Sequence, residues 1–272
     1  MKKFEGMLIC TDLDGTLLRN DKTVSKENLE AIEYFKSEGG YFTFITGRPP
    51  VIAQDTYRMI RPNAPVGCIN GGGLYDFKAG KYLWYKELDR SVIELVEDAC
   101  ENVDGIGYQL NTPEAIYFCK ENFAMRHFRT LTGYTGKTAR PEDTSEPFVK
   151  IVFGDSDDRH IDELSDFLNA HPRAAEFDFI RSEKTLYEIL PRGINKGTAL
   201  SKLIECLGID PKNTYAVGDY DNDVGMLRAA HVGIAVANAS PAALTVADVV
   251  TVSNEEHAIA KIIYSIENNS LF

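Results

Sequence analysis

Two aspartates stand one residue apart near the start of the chain, in Cys10-Thr11-Asp12-Leu13-Asp14-Gly15-Thr16, directly after an apolar run. A second acidic cluster, Gly218-Asp219-Tyr220-Asp221-Asn222-Asp223, follows another apolar run far downstream. Between them lie Thr46-Gly47-Arg48 and a lysine, Lys196, in Gly193-Ile194-Asn195-Lys196-Gly197-Thr198. If these stretches meet, the set suits a phosphate ester held beside Mg²⁺, a cation that takes hard oxygen ligands and only a few protein carboxylates alongside phosphate and water. Asp12 and Asp219 can supply those carboxylates. One of the aspartates can attack phosphorus, splitting hydrolysis into formation and breakdown of an aspartyl phosphate. Asp14, two residues on, can protonate the leaving alkoxide and then activate water as a base. The Thr46 hydroxyl, the backbone amides of Leu13 and Gly47, and the Lys196 ammonium then hold the phosphoryl oxygens.

The pattern around these residues supplies a way to bring them together. Residues 7–11 read as a buried strand and residues 25–36 as a helix, with Leu29, Ile32 and Phe35 at helical spacing. Residues 41–45 form the next strand, Pro49 opens a helix to about Ile60, and residues 66–69 form a third strand before a glycine run and a hairpin over residues 74–83. Alternating strand and helix implies a parallel sheet. Ligands of such sheets collect beyond the carboxyl ends of the strands, where helix N-termini aim amides at anions.

From about Ser91 the grammar changes. The capping box Ser91-Val92-Ile93-Glu94 opens a helix, and strands at 106–110 and 115–119 precede a helix at 123–131. A strand at 148–153, a helix at 159–168 and paired strands at 176–181 and 185–190 follow. Adjacent strands of this kind pair antiparallel in a separate α+β unit. After Pro191-Arg192-Gly193 the first grammar resumes, with a helix at 198–207, a strand at 214–217, a helix at 224–229 and strands at 232–236 and 249–252. The expected fold class is α/β: a Rossmann-like parallel-sheet core of residues 1–83 and 190–272, with an inserted α+β cap domain of residues 84–189.

Composition narrows the function. The 272 residues carry 29 Lys and Arg against 41 Asp and Glu, a formal charge of −12, and 44% are hydrophobic. A well-cored protein of two domains is expected at that size, and its acidic balance opposes nonspecific nucleic-acid binding. No apolar run reaches the roughly 18 residues of a membrane helix, so no membrane partner is expected. The five cysteines have no close pair, which argues against a disulfide framework or a thiolate zinc site and points to the reducing cytoplasm. The histidines lack ligand spacing. Neither acidic cluster matches a calcium loop, and the chain has no Gly-x-x-x-x-Gly-Lys-Ser/Thr phosphate loop.

On Asp12-Leu13-Asp14-Gly15-Thr16-Leu17-Leu18, Thr46-Gly47-Arg48, Asn195-Lys196-Gly197 and Gly218-Asp219-Tyr220-Asp221-Asn222-Asp223, taken in order over nearly the whole chain, the sequence resembles the haloacid dehalogenase superfamily of phosphatases. Within it, the Cof-type branch with a large inserted cap is the nearest pattern. The resemblance implies that Asp12 is the nucleophile and Asp14 the acid and base, the latter's backbone carbonyl also binding Mg²⁺. It implies that Asp219 is the remaining metal ligand, that Asn222 contacts phosphate, and that Asp223 supports Lys196 or the metal shell. The expected activity is Mg²⁺-dependent hydrolysis of small-molecule phosphate monoesters, such as sugar, nucleotide or cofactor phosphates. Two rivals share the aspartyl phosphate: a phosphomutase, and a signalling switch that turns nothing over. Asp14 speaks against the switch, because an acid/base beside the nucleophile hastens loss of the phosphoryl group. Asn70-Gly71-Gly72-Gly73 reads either as a turn or as a place where backbone approaches a ligand. Tyr108, Arg126 and Arg181 are candidates to face the leaving group.

Overall fold

The computed structural model describes residues 2–271. The chain opens with β1 (Leu8–Thr11), α1 (Lys26–Ser37), β2 (Tyr41–Phe44), α2 (Pro50–Ile60), β3 (Val66–Cys68), β4 (Gly73–Asp76) and β5 (Lys81–Tyr85). It continues through α3 (Val92–Asn102), β6 (Gly107–Asn111), β7 (Ile116–Lys120), α4 (Phe123–Thr132), β8 (Lys137–Thr138), β9 (Lys150–Gly154), α5 (Asp158–Ala170), β10 (Phe177–Glu183) and β11 (Leu186–Pro191). It closes with α6 (Lys196–Leu207), β12 (Thr214–Gly218), α7 (Val224–Ala229), β13 (Val232–Ala235), α8 (Pro241–Val246), β14 (Val249–Val250) and α9 (Ala258–Glu267). Two compact units result, one of residues 1–84 and 195–272, the other of residues 85–194.

The first unit is built on a parallel sheet in the order β14-β13-β12-β1-β2. Every residue of the central strand β1 is buried, as a strand covered on both faces requires. Leu8, Cys10 and Ala216 pack against Ala199, Leu200 and Leu203 of α6 and Met226 and Leu227 of α7. Burying each large side chain here contributes roughly 1.5–3 kcal/mol. On α1, Ala31, Ile32 and Phe35 form the buried stripe, and α1 packs beside α9. The sequence reading stopped short of α9, although its pattern is helical: Ala258, Ile259, Ala260, Ile262, Ile263 and Ile266 are buried, while Lys261 and Tyr264, three residues apart, are exposed. The short α8 and β8 also escaped the pattern. A smaller sheet, β3-β4-β5, continues from the β2 side through a parallel bridge between Ile45 and Gly67.

The second unit carries a six-stranded sheet in the order β10-β11-β9-β6-β7-β8, antiparallel except where β7 meets β8. One face is covered by α3 and α5, whose Val92, Leu95, Val96, Ile161, Leu164 and Leu168 join Leu110, Ile151, Phe153 and Ile189 in one core. β11 runs on to Pro191 within this sheet, so the strand and the turn after it stay with the inserted unit as far as Ile194. Ser91 corrects the sequence reading. It precedes α3 but its side chain makes no capping hydrogen bond; its hydroxyl accepts from Arg173 Nη2 at 2.7 Å instead. A charged guanidinium outcompetes a backbone amide for one oxygen.

Candidate active site

Parallel register determines where the acidic loops emerge. Thr11, the last residue of β1, lies opposite Val217 of β12 and Phe44 of β2, so the chain leaves all three strands at one edge of the sheet. Asp12 stays in line, its N–H donating to the Val217 carbonyl at 2.8 Å. Gly15 then turns the chain at φ +81°, and a Cβ there would collide with the Asp219 carboxylate, so only glycine lets the first loop close onto the fourth. Thr16 Oγ1 donates to Asp219 Oδ1 at 2.6 Å. Lys196 is the first residue of α6, whose N-cap Asn195 accepts from the Gly197 amide through its side chain.

These elements converge on one buried cluster. Lys196 Nζ donates to Asp12 Oδ1 at 2.5 Å and to Asp223 Oδ1 at 2.6 Å. Asp223 Oδ2 accepts the amides of Asp219 and Tyr220 at 2.9 and 3.0 Å, fixing the loop after β12. Asp12, Asp219 and Asp223 each offer a carboxylate oxygen, and the three oxygens lie within 4.8 Å of one another. Three carboxylates thus face one ammonium. Burial, only partly offset by Lys196, together with the charges of Asp223 and Asp219, holds the Asp12 carboxyl well above the usual range. Burial and the neighbouring Asp223 push Asp219 up to about 6. Burial works against charge on Lys196 as well, but Asp12 and Asp223 prevail and raise its pKa, keeping it protonated. A group of hard oxygen donors with excess negative charge is suited to a divalent cation, which would remove the repulsion that raises these carboxyls.

Asp14 lies apart from that group. Its carboxylate receives Arg48 Nε at 3.1 Å and Nη2 at 2.8 and 2.7 Å, and Lys22 Nζ at 2.8 Å. Burial opposes ionisation of Asp14, yet Arg48 and Lys22 outweigh it and hold the carboxyl below its usual value. Lys22 reaches it from a tight turn at φ +64°. Arg48 ties the loop after β2 to the first loop, and Asn222 Nδ2 donates to Asn70 Oδ1 at 3.1 Å, tying the loop after β12 to the one after β3. Asn70 is fully buried, and a Cβ on Gly47 would stand 3.0 Å from its Oδ1. Thr46 is buried too, its hydroxyl accepting the Arg48 amide at 3.2 Å. Leu13 is buried, and its carbonyl accepts the Leu18 amide at 2.8 Å.

Sequence reading missed the parts played by Lys22, Arg48 and Asn70. Arg48 was visible in Thr46-Gly47-Arg48, but nothing in the spacing says which carboxylate a guanidinium will find. Gly71 resolves the glycine run: at φ +96°, its missing Cβ makes room for the Asn195 carbonyl, so the close approach there is to the N-terminus of α6. In the second unit, Tyr108 lies in the hydrophobic core and Arg181 pairs with Asp162.

Comparison with known proteins identifies the family. Residues 9–263 match the family described as haloacid dehalogenase-like hydrolase. The chain is 27% identical over 260 residues to the 5-amino-6-(5-phospho-D-ribitylamino)uracil phosphatase YitU of Bacillus subtilis, covering 93% of this chain and 95% of that one. It is 28% identical over 278 residues to the pyridoxal phosphate phosphatase YbhA of Escherichia coli, covering 95% and 97%. A haloacid dehalogenase-like hydrolase from Bacteroides thetaiotaomicron shares the fold, with a TM-score of 0.82 at 23% identity over 96% of this chain and 99% of that one.

Proposed function

Because the chain belongs to the haloacid dehalogenase-like hydrolases and is a phosphatase among them, we propose that it hydrolyses small-molecule phosphate monoesters with Mg²⁺ through a phosphorylated Asp12. The observation that carries this reading is the buried meeting of Asp12, Asp219 and Asp223 around Lys196. Asp12 and Asp219, with the backbone carbonyl of Asp14, would hold the ion, and Asp223 would brace Lys196 and the loop. When bound, Mg²⁺ supplies positive charge that lets a carboxylate and a phosphate dianion approach each other.

In the first step an Asp12 oxygen bonds to phosphorus as the ester P–O bond breaks, and the departing alkoxide takes a proton from Asp14. In the second, Asp14 takes a proton from water, whose oxygen attacks phosphorus and releases Asp12 and inorganic phosphate. Lys196, Thr46, Asn222 and the amides of Leu13 and Gly47 hold the phosphoryl oxygens meanwhile. Arg48 and Lys22 keep Asp14 in its base form, which suits the second step. The negative charge of an arriving phosphate favours the protonated form that the first step needs.

The inserted unit serves in this reading as the cap that selects the ester. The two phosphatases named above take chemically different substrates, so it is the ester class that carries over. All five cysteines are free thiols, consistent with work in the cytoplasm, and among the described residues no helix is long and apolar enough to cross a membrane. The test is hydrolysis of 4-nitrophenyl phosphate with Mg²⁺, with excess chelator, and by an Asp12→Asn variant. Release of free phosphate by the first alone is expected; unchanged rates in either of the others would reject the mechanism, as would a rearranged ester in place of free phosphate when a sugar phosphate is the substrate.

A further inference from the structure

Asp14 receives more cationic partners than holding it requires. Arg48 alone meets both carboxylate oxygens, through Nε at 3.1 Å and Nη2 at 2.8 and 2.7 Å, the paired geometry that a guanidinium favours. Lys22 Nζ adds a further contact, to Oδ1 at 2.8 Å, from a side chain that remains 65% exposed. The backbone that delivers it is strained: Lys22 has φ +64°, a left-handed conformation uncommon for residues other than glycine. Such strain persists where the surroundings over-determine it, and it collects where ligands are handled. Here the surroundings are specific. Glu255 accepts the Asn20 amide at 2.7 Å and Arg19 Nε at 3.0 Å. Asp21 Oδ1 accepts the amide and the hydroxyl of Thr23 at 3.0 and 2.6 Å, and the Lys22 amide donates to the Arg19 carbonyl at 2.9 Å. A braced turn thus holds an exposed ammonium one hydrogen bond from the aspartate that handles the leaving oxygen.

We propose that Lys22 determines specificity by receiving an anionic substituent on the carbon next to the ester oxygen of the substrate. The proposal rests on the phosphatase reading, in which Asp14 gives its proton to the departing oxygen. That oxygen must come within about 2.6–3.2 Å of the Asp14 carboxylate, so groups one or two bonds beyond it fall within reach of Lys22 Nζ. An ammonium on a flexible four-carbon stem can turn from Asp14 to a new anion without moving the backbone, because Arg48 continues to hold Asp14. Arg48 is the less available cation: its side chain is only 27% exposed and also donates to Thr56 Oγ1 at 3.3 Å. Charge sets the direction of the preference. In a chain of formal charge −12, an added negative group on the substrate gains only where a local cation receives it, so acid-bearing esters are favoured over neutral ones of the same shape.

The experiment measures kcat/KM with Mg²⁺ on 2-phospholactate and 2-phospholactamide, which differ only in a carboxylate against a carboxamide beside the ester carbon. Wild type should prefer the carboxylate ester by roughly fivefold, the value of a partly exposed ion pair. Lys22→Met should erase that preference, Lys22→Glu should invert it, and Lys22→Arg should keep it. Loss of Lys22 also removes a support of Asp14, which affects both esters alike, so the quantity read is the ratio between them. Equal kcat/KM for the two esters in wild type, or an unchanged ratio in Lys22→Met, overturns the proposal. Should Lys22→Met fail to fold, Lys22→Glu carries the comparison. If neither ester is turned over while 4-nitrophenyl phosphate is, the same ratios are read from their inhibition constants against that substrate. Wild type inactive on every ester, the aryl one included, instead rejects the phosphatase reading, and the proposal falls with it.

Discussion

Lys196 is the residue on which the candidate site balances. It is almost fully buried between Asp12 and Asp223, and removing one partner of a buried ion pair leaves the other charge uncompensated. Lys196→Met should therefore cost about 3–5 kcal/mol of stability, read from urea unfolding without metal. Adding Asp223→Asn should recover part of it, because one stranded carboxylate is then neutral. A loss below about 1 kcal/mol, the value of an exposed pair, would show that the Lys196 charge is not needed to hold the cluster. Asp14 has a different environment although only Leu13 separates it from Asp12: burial and neighbouring carboxylates raise Asp12, whereas Arg48 and Lys22 outweigh burial and lower Asp14. These directions are opposite to the ionised nucleophile and protonated acid of the first step; a bound cation would lower Asp12, and an arriving phosphate would raise Asp14.

At the scale of elements, the site depends on how α6 is held. Its N-cap Asn195 shares backbone space with Gly71, in the turn that follows β3, and Gly71 adopts φ +96°. Gly71→Ala introduces both a left-handed strain and a clash with backbone that cannot rotate away. Overpacking of this kind costs roughly 1–3 kcal/mol. Because the clash falls one residue before Lys196, phosphatase turnover should fall more than stability alone explains at temperatures where the variant remains folded. Gly80 has a positive φ but open space around it, so Gly80→Ala is the control. If the two variants behave alike under denaturation and in turnover, the proposed linkage between the β3 turn and α6 is wrong.

The whole molecule carries an excess of acid, −12 over 272 residues, and the candidate site concentrates it in a buried cluster. Asp219 is raised from its ordinary value of 3.8 to about 6, so the folded protein binds its proton more tightly than the unfolded chain does. Its contribution is fully present below about pH 4 and is lost as pH rises through about 6. With chelator present, Asp219→Asn should thus gain stability relative to wild type as pH is raised from 4 to 7. Adding Mg²⁺ should reverse that order at pH 7 by stabilising wild type alone. A difference between the two proteins that does not change with pH would mean Asp219 ionises as a solvated carboxylate does.

The linear sequence already contained the alternation of strand and helix, the change of grammar at the insertion and the four polar stretches, because periodicity and turn residues are local properties of the chain. It placed Asp12, Lys196 and Asp219 at the ends of elements that share a sheet edge. Which partners those residues take was decided by tertiary structure. Arg48 and Lys22 meet Asp14, Asn70 meets Asn222, and Lys196 bridges Asp12 and Asp223. Such pairings depend on distances across strands and loops far apart in the chain, which no spacing along it encodes. The same holds for Ser91, whose hydroxyl is taken by Arg173 rather than by the helix that it precedes.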